Sequence, residues 1–181
     1  MAINRRTFLG VSAAAALAGA LPVRVAAADV QGFFPAGLVE AARAAFAQGL
    51  AGALTRVSVG VPDPCVAACN GSDSPAIAAA RRFLCDVHVV AGPFQPARIV
   101  ATGGAAARRQ GPDRLMIHGV LRPGVDLLLC TGAMPADDAF ISLRGTTGEI
   151  LLAQDAVRLV SNTGERILSV SIDRTPRAYA V

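Results

Sequence analysis

A chain of 181 residues has the length of one ordinary domain, and 53% hydrophobic against 17% charged content excludes an intrinsically disordered polymer. There is no Trp, Tyr179 is the single tyrosine, and all 17 basic residues are Arg, set against 13 acidic residues. A formal charge of +4, carried by scattered arginines, does not mark a nucleic-acid-binding face.

In chain order, Asn4-Arg5-Arg6-Thr7-Phe8-Leu9-Gly10 makes a charged start, followed by a short Ala- and Gly-rich apolar stretch. Ala26-Ala27-Ala28 then forms a small-residue cleavage pattern. The segment resembles a twin-arginine (Tat) signal peptide: Arg5, Arg6, Phe8 and Leu9 match that pattern, while Asn4 and Gly10 depart from it. The resemblance implies recognition by the Tat translocase, cleavage between Ala28 and Asp29, a single mature domain at 29–181, and a periplasmic or secreted location. The apolar run Phe8–Val23 contains Pro22 and falls short of the ~20 residues a bilayer requires, so no stable membrane span is expected. Cleavage would remove Arg5, Arg6 and Arg24 and leave the domain close to neutral. Neither nucleic acid nor an anionic membrane surface is then an expected partner.

Gly32-Phe33-Phe34-Pro35 is an apolar lead-in that should dock on the domain. From Gly37 to Leu54, apolar residues recur at three- and four-residue steps, which predicts an amphipathic helix weakened at its end by Gly49 and Gly52. Arg56–Val61 alternates with period two and predicts a strand. Residues 62–74 form a turn-rich loop, and Ser74-Pro75 reads as a cap and first-turn proline opening a helix through Leu84. The β-branched run Asp86–Ala91 predicts a short strand. Further strands are expected at Arg98–Thr102, Arg114–Leu121, Val125–Cys130, Ala139–Leu143, Glu149–Leu152, Ala156–Val160 and Arg166–Ile172, with a hairpin at Arg122-Pro123-Gly124. The fold class is therefore α+β: helices near the N-terminus and a mainly antiparallel sheet, or small sandwich, in the C-terminal half.

Cys65, Cys69, Cys85 and Cys130 are even in number, and an oxidising compartment favours disulfides among them. All three pairings stay open, with preference for those joining the 65–69 loop to Cys85 and Cys130. A metal site from Cys65, Cys69, Cys85 and His88 is the competing reading, although the spacing fits no familiar zinc, haem or iron–sulfur pattern. His118 and Cys130, with Asp137 or Asp138, make the best enzyme hypothesis, a Cys/His dyad. The end of the Val125–Cys130 run also resembles the cysteine of periplasmic DsrE-like sulfur-relay proteins, which implies a sulfur carrier. No catalytic motif is recognisable. The sequence therefore favours a non-catalytic, disulfide-stabilised binding or accessory subunit, serving a periplasmic protein partner such as a redox complex and holding no cofactor. A Cys130/His118 enzyme and a metal-binding electron-transfer protein are the alternatives.

Overall fold

The computed structural model describes residues 32–62, 75–102, 114–131 and 139–170. Two helices, α1 (Ala36–Ala47) and α2 (Pro75–Ala91), accompany eight strands: β1 (Leu54–Val61), β2 (Gln95–Thr102), β3 (Arg114–Arg122), β4 (Val125–Thr131), β5 (Phe140–Gly145), β6 (Gly148–Ala153), β7 (Ala156–Ser161) and β8 (Gly164–Val170). The strands form one sheet in the order β2-β3-β4-β1-β5-β6-β7-β8, and among the described residues there is no second layer of strands. β1 pairs in parallel with β4 and every other pairing is antiparallel. The class is α+β with a mainly antiparallel sheet. A parallel pair needs a crossover, and here the chain travels from β1 through α2 and the β2–β3 hairpin before β4 returns beside it.

Strand alternation sorts the side chains onto two faces. Val57, Val59 and Val61 of β1, Leu127 and Leu129 of β4, Ile141 and Leu143 of β5, and Ile150 and Leu152 of β6 are buried under the helices. α2 covers β1, β3 and β4, while α1 covers β6, β7 and β8 and leans on α2. The intervening residues point to the other face, where no described element covers them. Among the described residues no helix is long and apolar enough to cross a membrane.

α1 is shorter than its periodicity predicts. It closes at Gln48 because Gly49 takes φ +69°, with Leu50 N–H donating to the Ala45 carbonyl and Gly49 N–H to that of Phe46. This is a glycine-terminated helix end, which reverses the chain into β1. α2 departs from expectation in the opposite direction. Asp86–Ala91 is not a strand: it continues the helix, so His88 lies in the last helical turn. Val87 and Val90 are buried there, and packing against the sheet outweighs the modest helix penalty of β-branched side chains.

The lead-in docks on α2 through several contacts at once. Phe33 stacks on Phe83 with ring centres 4.4 Å apart, and Phe34 meets both rings edge-on. Asp86, only 4% exposed, accepts the Phe33 N–H at 2.8 Å and the Phe34 N–H at 3.1 Å. Arg82 sits over the Phe33 ring and donates to the Gly32 carbonyl at 3.3 Å. A side chain at position 32 would overlap Asp86, so only glycine fits.

Candidate functional site

The uncovered sheet face has a polar centre built by register. Across β4, β1, β5 and β6 one row reads Asp126, Arg56, Arg144, Glu149, and the next reads Leu128, Ser58, Ser142, Leu151. The third row, Cys130, Gly60, Phe140, Ala153, is apolar, and Phe140 lies over Gly60 where a side chain would collide with its ring. Toward the β2 edge, Arg98 stands opposite His118, and Val100 opposite Met116. Met116 is 47% exposed, with Val100 and Leu128 also open to solvent.

Two polar pairs organise this centre. His118 Nε2 lies 3.5 Å from Asp126 Oδ1, with both side chains about half exposed. The Ser142 hydroxyl donates to Glu149 at 2.6 Å. An imidazole beside a carboxylate can accept a proton from a hydroxyl placed against it.

The expected sites fare differently. Cys65, Cys69, Asp137 and Asp138 lie outside the described residues, as do Arg5, Arg6, Phe8, Leu9, Ala28 and Asp29. Cys130 carries a thiol, and no Cys85–Cys130 bridge forms. The two cysteines belong to opposite sides of the sheet: Cys85 is buried on α2, whereas Cys130 alternates with the helix-facing Leu129 and turns to the open face. Both preferred pairings required Cys130 to be bridged to Cys65 or Cys69, so its thiol corrects the expected disulfide framework. Burial pushes the Cys130 thiol pKa up, and burial followed by the Asp86 charge does the same for Cys85. Neither is prepared as a thiolate. In the expected dyad, His118 stands opposite Leu128 rather than Cys130, whose partners are Met116 and Gly60. Among the described residues no three His, Cys, Asp or Glu side chains converge on a metal position. The Asp126–Arg56–Arg144–Glu149 row escaped the sequence reading because its members come from four strands distant in sequence.

No protein-family model and no curated protein matches the sequence. Solved structures do share the fold. An oxidoreductase from Pseudomonas syringae is 15% identical with a TM-score of 0.57, over 73% of this chain and 38% of that one. An inositol dehydrogenase homolog from Azotobacter vinelandii, complexed with NADH and myo-inositol, is 15% identical with a TM-score of 0.54, over 73% of this chain and 39% of that one. A super-repressor mutant of Gal80p from Saccharomyces cerevisiae is 14% identical with a TM-score of 0.59, over 75% of this chain and 44% of that one. The chain thus spans less than half the length of these structures. The likeness corrects two expectations. A periplasmic accessory subunit gives way to a fold shared with oxidoreductases, an inositol dehydrogenase homolog among them, and the expected absence of a cofactor gives way to a neighbour complexed with NADH. It lends no support to Tat export.

The described residues themselves do not fit a dinucleotide. Its pyrophosphate rests on a glycine-rich turn between a parallel strand and a helix N-terminus, within a doubly wound parallel sheet. This sheet has one parallel pairing, and the sequence contains no Gly-x-Gly triplet. What the described residues bring to the likeness is a helix-backed, mainly antiparallel sheet with one open face.

Proposed function

We propose that this chain forms the substrate-side half of a nicotinamide-dependent dehydrogenase acting on a small polyhydroxylated compound. The observation that carries the reading is the fold shared with the inositol dehydrogenase homolog over 73% of this chain. Since the described sheet offers no pyrophosphate cradle, the dinucleotide is to be held by a doubly wound partner and not by this sheet. Substrate pockets form preferentially between such halves. On the open face, His118 beside Asp126 takes the proton of a substrate hydroxyl, and Ser58 and Glu149 offer further hydrogen-bonding partners. Calorimetric titration of the full chain with myo-inositol, related polyols and NADH tests this. A polyol should bind in a manner weakened by His118→Asn and Asp126→Asn, while NADH should not bind the chain alone. Failure of every polyol, or binding indifferent to both substitutions, refutes the reading.

A further inference from the structure

Arg56 and Arg144 stand directly opposite each other across the β1–β5 seam. Side chains so paired on an antiparallel ladder have Cβ atoms about 5 Å apart, and like charges at that spacing repel. Other charged groups of this face are engaged: Asp126 with His118, Glu149 with Ser142, and Arg158 with Asp155 and Glu165. The two arginines are not engaged in this way, and neither is Arg98 toward the β2 edge, but only Arg56 and Arg144 face each other. Asp126 flanks Arg56 and Glu149 flanks Arg144 on the neighbouring strands, yet neither guanidinium has a hydrogen bond or ion pair with a described residue.

Nor is the pairing the default register. Leu54 lies opposite Gly145, so an unbroken ladder would place Thr55 against Arg144. A bulge inserts one residue instead, the Thr55 hydroxyl donates to the Arg144 carbonyl at 3.0 Å, and Arg56 is delivered opposite Arg144. Bulges are a common means of re-aiming a side chain beside a site.

We propose that Arg56 and Arg144 bind a compact oxyanion, a phosphate or carboxylate group, on the open face of the sheet. Two guanidinium groups carried by facing residues can both donate hydrogen bonds to such a group, which relieves their mutual repulsion. Ser58 and Ser142, paired one row along the same strands, border the site, and Asp126 and Glu149 flank it on the neighbouring strands.

The test is titration of the full chain with phosphate and with succinate, ionic strength being held constant with sodium chloride. Saturable binding of at least one is expected, with a rise in Tm. Arg56→Gln and Arg144→Gln should each weaken binding roughly tenfold or more. Without the anion, both variants should melt no lower than wild type, since a repulsion has been removed. Arg122→Gln, at the exposed β3–β4 turn, should bind as wild type does. A Tm rise no larger than chloride gives, binding retained in the double variant, or destabilised single variants in the absence of anion would each overturn the proposal. Its failure leaves the polyol reading untouched, because that reading is tested at His118 and Asp126.

Discussion

Replacing Asp86 probes the attachment of the lead-in to α2. Asp86→Ala removes the acceptor of two backbone N–H groups, that of Phe34 in a buried setting. A buried donor left without a partner costs about 1–3 kcal/mol and the part-buried Phe33 N–H about 1 kcal/mol, so the pair should cost about 2–4 kcal/mol. For a chain of this size that corresponds to roughly 5–15 °C in Tm. Asp86→Asn keeps an acceptor oxygen and should lose no more than about 1 kcal/mol. Burial raises the Asp86 pKa, outweighing the Phe34 and Phe33 N–H groups and Arg82, which lower it. The folded state therefore holds this proton more tightly than the unfolded chain. Its contribution to stability is full below the unfolded-state pKa and is lost as pH rises through the folded-state value. Urea melts of wild type and both variants across the acid range give the answer. Wild type should lose stability relative to Asp86→Asn as pH rises. An Ala variant within about 0.5 kcal/mol of wild type, or a wild-type advantage over Asn that grows with pH, would refute the argument.

Thr131→Val should cost about 1–3 kcal/mol in a chemical melt, because the buried Leu115 N–H donates to the Thr131 hydroxyl at 2.7 Å, and Thr131→Ser should restore most of it. Phe83→Ala opens a cavity where three rings meet and should lower stability by about 3–5 kcal/mol, with the near-ultraviolet circular dichroism of the phenylalanines weakened. Cys130 should alkylate with iodoacetamide in the folded protein only above the pH range of an ordinary thiol, since burial raises its pKa; rapid labelling at neutral pH would contradict this.

Local signals carried most of the elements. The three-and-four periodicity of Leu38, Val39, Ala42 and Phe46 predicts α1, Ser74-Pro75 announces α2, and Pro123-Gly124 marks a hairpin whose Gly124 takes φ +80°. Val87, Val89 and Val90 mislead because their strand preference is local, whereas burial of Val87 and Val90 beneath α2 is decided by the sheet. The insertion of β4 beside β1 leaves no trace in either segment. The candidate site is less legible still. Arg56 and Arg144 are ordinary surface arginines in the sequence, and only strand register together with the bulge at Thr55 sets them face to face. Cysteine number was a poor guide, because it carries no information about which side of a sheet each thiol occupies.

The position of β1 in the middle of the sheet has a kinetic consequence. It leaves the ribosome early, yet its two neighbours are β4 and β5, so Arg56 waits for Asp126 on one side and Arg144 on the other. Until both have been synthesised, Leu54–Val61 presents two unpaired edges and an apolar face, the kind of segment that recruits other chains. The β5–β8 meander, by contrast, pairs each strand with the next and can close locally within microseconds. The pairings of β1 with β4 and β5 are the most distant in sequence within the sheet, the kind of contact expected to form last. Co-expressed chaperones that shield extended segments should raise the yield of this protein more than a lower growth temperature does.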